Sequence, residues 1–258
     1  MPELAATTEG SGPPLVLVHG FTQTARSWAT IASDLAPHYR VTCVDAPGHG
    51  GSGVIKADLD QGAELLGAAG GRAIYIGYSM GGRLCLHLAL ARPDLVQGLI
   101  LLGATGGIED AAERQARQAG DEELAQRLER DGVDSFLEDW LNQPLFAGLP
   151  DDPAERAARR TNRPEGLASS LRLTGTGRQR PLWDELTRLS MPVLVLAGQR
   201  DEKFSALGQR LAHCIGTNAT FETVAGAGHA SHLEAPESFV LSVRRWLARQ
   251  APSQSPKA

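Results

Sequence analysis

Gly77-Tyr78-Ser79-Met80-Gly81-Gly82 sets a serine among small residues, directly after the run Ala73-Ile74-Tyr75-Ile76 and before an apolar helical pattern. The five-residue Gly-x-Ser-x-Gly pattern is common by chance, and its position between a strand and a helix is what gives it meaning. There the serine sits on a strained turn, and the flanking glycines let the backbone pass closely. Such a turn lifts the Ser79 hydroxyl above the sheet at a helix N-terminus, with the Met80 N–H facing a developing oxyanion. A serine hydroxyl is inert at neutral pH without a base, so an acid and then a histidine are required further along the chain. Asp201 lies just beyond the run Pro192–Leu196, in Ala197-Gly198-Gln199-Arg200-Asp201. His229 closes the loop Gly226-Ala227-Gly228-His229 before the last helical pattern. Asp184 and Glu185 follow no strand and rank below Asp201; His232 lacks the glycine-flanked loop. Asp201 then holds the His229 tautomer and stabilises the imidazolium that forms. His19-Gly20-Phe21, after the first strong strand, offers the Phe21 N–H as partner donor to Met80. His49, in Asp45-Ala46-Pro47-Gly48-His49-Gly50-Gly51-Ser52, reads as structural.

These residues need a scaffold that brings loops to one edge of a sheet. Leu15–Val18, Val41–Val44, Ala73–Ile76 and Leu99–Leu102 are continuous apolar runs, the pattern of strands covered on both faces. Ser27–Ala36, Gly62–Ala69 and Gly81–Ala91 between them predict helices, so the chain is an α/β protein with a doubly wound, mostly parallel sheet. From Ile108 to about Arg188 no strand is visible. Phe136, Leu137, Trp140 and Leu141 form one helical stripe there, and Leu167 and Leu171 repeat the spacing. The strand signal returns at Pro192–Leu196 and Thr220–Val224, with helices near Phe204–Cys214 and Pro236–Arg249. The predicted organisation is a core of residues 1–104 and 189–250, a helical cap inserted at 105–188, and a disordered Ser/Pro-rich tail at 251–258.

A 42% hydrophobic content supplies a sizeable core, and a net charge of −5 argues against a nucleic-acid groove. No apolar run reaches the roughly 18–20 residues that cross a bilayer, and Met1–Gly10 lacks the layout of a secretory signal. Cys43, Cys85 and Cys214 have no metal-ligand spacing, no His-x-x-x-His is present, and no glycine loop suited to phosphate opens a helix. The expectation is a cytoplasmic protein with no metal, organic cofactor, nucleic-acid partner or membrane partner; its oligomeric state stays open.

In this order the motifs resemble the α/β-hydrolase superfamily over nearly the whole chain. Serine at position 79 sets it apart from relatives that use an aspartate nucleophile. Further segments look like the 2-succinyl-6-hydroxy-2,4-cyclohexadiene-1-carboxylate synthase family of menaquinone biosynthesis. They are Gly77–Arg83, Asp139–Ala147 with its Trp140-Leu141-Asn142-Gln143-Pro144-Leu145-Phe146, Gly198–Phe204 with its Arg200-Asp201-Glu202-Lys203-Phe204, Ala227–Pro236 and Pro47–Ser52. Leu141 stands where that family often has a second aromatic. The resemblance implies a lyase that releases pyruvate from a small polycarboxylate. Ser79 would remove the ring proton beside the succinyl carbonyl, and the enolate oxygen would rest on the Phe21 and Met80 amides. It also implies cations for the carboxylates: Arg83, one turn into the helix, with Arg117 and Arg160 in the cap, since the guanidinium fork suits carboxylates. Arg114, Arg117, Arg159 and Arg160 read equally as solvated helix faces, because 22 of the 25 basic residues are arginine. Trp140 and Tyr78 read as pocket lining or as core. The rival readings are a serine hydrolase (carboxylesterase or carbon–carbon bond hydrolase) and a non-catalytic ligand receptor, both compatible with an intact triad.

Overall fold

Side chains of successive strand residues point to opposite faces, so an unbroken apolar run belongs in a sheet packed on both sides. The computed structural model, which describes residues 2–250, has one such sheet of seven strands in the order β1-β3-β2-β4-β5-β6-β7. The strands are β1 (Ala6–Glu9), β2 (Pro14–Val18), β3 (Arg40–Val44), β4 (Ala73–Tyr78), β5 (Val96–Leu102), β6 (Val193–Gly198) and β7 (Ala219–Val224). Strands β2 to β7 pair in parallel; β1 runs antiparallel at the edge, with Ala6 opposite Val44 and Glu9 opposite Val41. The tail call at 251–258 lies outside the described residues.

The two faces divide the runs residue by residue. Val16, Val18, Leu99, Leu101, Val193 and Val195 pack against α2 (Leu59–Gly70), α3 (Met80–Ala91) and α7 (Glu202–Ile215). Leu15, Leu17, Ile100, Leu102, Leu194 and Leu196 pack against α1 (Ala29–Leu35) and the C-terminal helix α9 (Pro236–Gln250), through Trp28, Ile31, Leu35, Phe239 and Trp246. The short α8 (Ser231–Glu234) precedes α9. Because helices cover both faces, each of the strand residues just named is buried.

Between β5 and β6 the chain leaves the sheet and forms α4 (Ala111–Leu141), α5 (Pro153–Arg160) and α6 (Pro164–Thr174). Residues 105–188 contribute no strand. Their own apolar cluster joins Ala125, Leu128, Phe136 and Leu137 of α4 to Leu167, Ala168 and Leu171 of α6. Gly132, at φ 79° and ψ 176°, breaks α4 into two helices at a kink. This layer covers the ends of the strands, where loops after β2, β4, β6 and β7 converge. No helix among the described residues is long and apolar enough to cross a membrane.

Candidate active site

Ser79 follows β4 and stands immediately before α3 at φ 50° and ψ −108°, a conformation that L-residues avoid unless the surroundings enforce it. The surroundings are the three glycines. A Cβ at Gly77 would lie 2.5 Å from the Gly81 carbonyl oxygen, one at Gly82 2.8 Å from Ala104 Cβ, and one at Gly81 would collide with the Val18 carbonyl oxygen. Helix α3 thus starts as close to β2 and β4 as backbone can come, and Ser79 is held at its turn. Gly81→Ala is expected to cost about 3 kcal/mol, which lowers the melting temperature by about 6–12 °C for a domain of this size. Circular dichroism melting checks it. As the first amide of α3, the Met80 N–H has no carbonyl one turn back to bond.

Asp201 caps α7: its Oδ1 accepts from the Phe204 N–H at 3.1 Å, while Oδ2 lies 2.7 Å from His229 Nδ1. One carboxylate therefore fixes both a helix start and the histidine tautomer, with Nδ1–H donating to Asp201 and Nε2 left for the serine side. Close approach of the two loops depends on glycine again, since a Cβ at Gly198 would overlap the Gly228 carbonyl and one at Gly103 would sit 2.9 Å from His229 Cε1. The His229 ring is enclosed by Phe204, Tyr78 and Phe146, at centroid distances of 4.3, 5.3 and 6.2 Å. Glu234, a residue to which the sequence assigns no role, clamps the loop on both sides of the histidine. Its carboxylate accepts from Gly228 N–H at 2.7 Å, from Ala230 N–H at 3.1 Å and from Arg200 at 3.2 Å. Of the two lower-ranked acids, Glu185 is engaged by Arg180 and Arg188.

The loop after β2 carries Phe21. His19 Nδ1 donates to the Gly20 carbonyl at 2.8 Å and Nε2 accepts from Ala46 N–H at 3.0 Å, while Gln23 Oε1 accepts from Gly20 N–H at 2.9 Å. Burial holds His19 neutral, its pKa lowered to about 4, and lowers His49 to about 3, with repulsion from His19 added. His49 donates through Nδ1 to the Pro47 carbonyl at 3.0 Å and packs edge-on to Phe21, so it braces the loop. Both folded values lie below the ordinary histidine value of about 6.5, so the unfolded chain takes up protons first. Stability from these two residues is complete above about pH 6.5 and declines as pH falls toward 4, by about 1.4 kcal/mol per pH unit for each. Urea unfolding between pH 7 and 5 is expected to show at least that slope, since burial lowers His232 and His87 as well, and His49→Asn to make it shallower.

Phe21, Tyr78, Ser79, Met80, Arg83, Arg117, Trp140, Lys203 and His229 all line one cavity of about 580 Å³ between sheet and cap. Ser79 and His229 meet at this wall without a direct hydrogen bond among the described residues. Arg83 is 7% exposed, and its one side-chain hydrogen bond among the described residues goes to the Thr174 carbonyl at 2.6 Å. Burial, with Arg117 nearby and only partly offset by Asp121, lowers its pKa to about 10, so it stays protonated at neutral pH. Arg117 pairs with the buried Asp121 at 2.8 Å. Lys203, one position short of Phe204, is a further cation of the cavity that the sequence reading did not single out; its place two residues after the acid was the available signal. Trp140 stacks on Phe136 and meets Phe21 edge-on, serving as both lining and core. Tyr78 is buried between His229 and His232.

Arg160 does not belong with them. Its Nε lies 2.9 Å from Asp134 Oδ1 with half of the side chain exposed, and it does not line the cavity. Its neighbour Arg159 turns inward instead, because consecutive helix residues point about 100° apart.

A family model described as alpha/beta hydrolase fold matches residues 13–236. A Yersinia pestis (strain Pestoides F) protein named 2-succinyl-6-hydroxy-2,4-cyclohexadiene-1-carboxylate synthase is 34% identical, over 93% of this chain and 89% of its own length. A Bacillus subtilis (strain 168) protein provisionally named for the same activity is 35% identical, over 90% of this chain and 89% of its own. Among solved structures, MenH from S. aureus superposes with a TM-score of 0.87 at 28% identity, covering 98% of this chain and all of that one. A malate-bound thermophilic esterase from Thermogutta terrifontis gives 0.82 at 27% identity, covering 96% and 94%.

Proposed function

The chain belongs to the α/β-hydrolase fold family, and from that premise we propose that it is a lyase of menaquinone biosynthesis, eliminating pyruvate from 2-succinyl-5-enolpyruvyl-6-hydroxy-3-cyclohexene-1-carboxylate. The observation that carries the reading is Arg83: a buried guanidinium on the wall of the triad cavity whose one side-chain hydrogen bond among the described residues goes to a carbonyl, with no carboxylate bonded to it. A buried charge whose nearest carboxylate, Asp121, is already paired with Arg117 is only partly neutralised, and an anionic substrate supplies the missing charge. With Arg117 and Lys203 the cavity holds three cations against the single carboxylate of Asp121. A neutral ester gains nothing from that excess; a substrate with several carboxylates does.

His229 takes the Ser79 proton, and the alkoxide removes the ring proton beside the succinyl carbonyl. The enolate oxygen is held by the Met80 and Phe21 amides, whose fixed orientation stabilises it without rearrangement. As the enolate collapses, the ring double bonds shift to the 2,4-diene and the ring carbon–oxygen bond breaks. The leaving group departs as enolpyruvate and becomes pyruvate on gaining a proton at carbon, which leaves Ser79 and His229 as they began. Water is not consumed.

The esterase neighbour favours a second reading, serine hydrolysis on the same machinery. Product mass separates the two. Elimination gives a ring product that weighs the substrate less pyruvate; hydrolysis of the enol ether gives a product heavier by one water. Mass spectrometry of the quenched reaction is expected to show only the lighter species above the spontaneous background, and the heavier species would overturn the lyase reading.

A further inference from the structure

Thr22 has φ 68°, left-handed backbone that a β-branched residue occupies only when its neighbours leave no alternative. It directly follows Phe21 and is completely buried. Two side chains of the cap bond to it directly. Arg159 Nη1 donates to Thr22 Oγ1 at 2.5 Å, and Asn162 Nδ2 donates to the Thr22 carbonyl at 2.8 Å. Both cap residues are themselves fixed. Arg159 is 2% exposed and pairs through Nε with Glu155 at 2.9 Å, and Glu155 in turn accepts from Ser27 Oγ. Asn162 accepts from Gly50 N–H through Oδ1 at 2.8 Å, and its Nδ2 also reaches the Arg159 carbonyl. On the other side, the Gln23 amide that accepts from Gly20 N–H reaches His232 on the base loop at 3.2 Å.

We propose that Arg159 and Asn162 are positioning residues: they hold Thr22 in its left-handed conformation and thereby aim the Phe21 N–H at the oxyanion. The cap then completes the oxyanion hole as well as enclosing the substrate. This rests on the assignment of Ser79, His229 and the Phe21 and Met80 amides as catalytic groups, though not on the identity of the substrate.

A fluorophosphonate probe tests it without the natural substrate. Ser79 Oγ attacks phosphorus, fluoride leaves, His229 takes the proton, and the phosphoryl oxygen occupies the oxyanion hole, so the labelling rate reports donor alignment. Asn162→Ala and, separately, Arg159→Lys (which keeps a cation beside Glu155) are expected to slow labelling about tenfold, with melting curves showing both folded. Glycine has no penalty at positive φ. In a Thr22→Gly background the same two substitutions are therefore expected to slow labelling less than about threefold relative to that background. A merely structural role in the cap predicts equal losses in both backgrounds, and that result, or no loss in either, would overturn the proposal. A wild-type Ser79 that fails to label would overturn the catalytic assignment and this inference with it.

Discussion

Asp201→Asn is expected to reduce turnover about 10,000-fold while leaving the melting temperature within a few degrees of wild type. The reason is specific to how the acid is held. Asp201 Oδ1 accepts from the Phe204 N–H that begins α7, and Oδ2 faces His229 Nδ1. An asparagine keeps its amide oxygen on Phe204 N–H, since only the oxygen can accept, and so presents its NH₂ group to the histidine. Nδ1 must then accept, the ring proton moves to Nε2, and His229 can no longer take a proton from Ser79. Because the helix cap is retained, the loss falls on turnover. A variant that lost activity only in proportion to lost folding would contradict this assignment of Asp201.

Arg83→Ala carries the second large effect, and it should depend on the substrate. Truncating one partner of a buried charge pair costs about 2–5 kcal/mol, so turnover of the polycarboxylate is expected to fall at least about 30-fold in kcat/KM. Hydrolysis of a small neutral activated ester, which makes no use of the guanidinium, is expected to change less than about threefold. Steady-state kinetics on both substrates decide the matter. Equal losses would mean that Arg83 only supports α3 and the Thr174 carbonyl, and the argument from an incompletely neutralised buried cation would fail. Arg160→Ala serves as the contrast, since its partner Asp134 is on the surface and exposed pairs contribute little.

Much of the sheet was legible because a two-sided parallel sheet leaves a largely apolar trace, and five of the strands carry one. β1 did not, for a physical reason. Its residues Ala6-Thr7-Thr8-Glu9 are all exposed at an antiparallel edge, where nothing requires apolar side chains. The kink at Gly132 was equally silent, since one glycine in a charged helical stretch gives no sign of a positive φ. In the site, Ser79 could be read because sterics at the turn demand glycines in fixed places. The choice between Arg159 and Arg160 could not be made from charge, because both stand in one basic cluster. It could have been made from spacing: Glu155 lies four residues before Arg159, one helical turn away, and the buried pair they form faces Thr22. Thr22 carried no signal at all, because its conformation is imposed by residues about 140 positions along the chain.

Pyruvate released from freshly generated 2-succinyl-5-enolpyruvyl-6-hydroxy-3-cyclohexene-1-carboxylate, followed for wild type and Ser79→Ala against the spontaneous rate, tests the central claim most directly. Wild type is expected to release pyruvate far above background, and Ser79→Ala to fall at least about 1,000-fold. Wild-type release no faster than background, or release unchanged by the loss of the Ser79 hydroxyl, would contradict it.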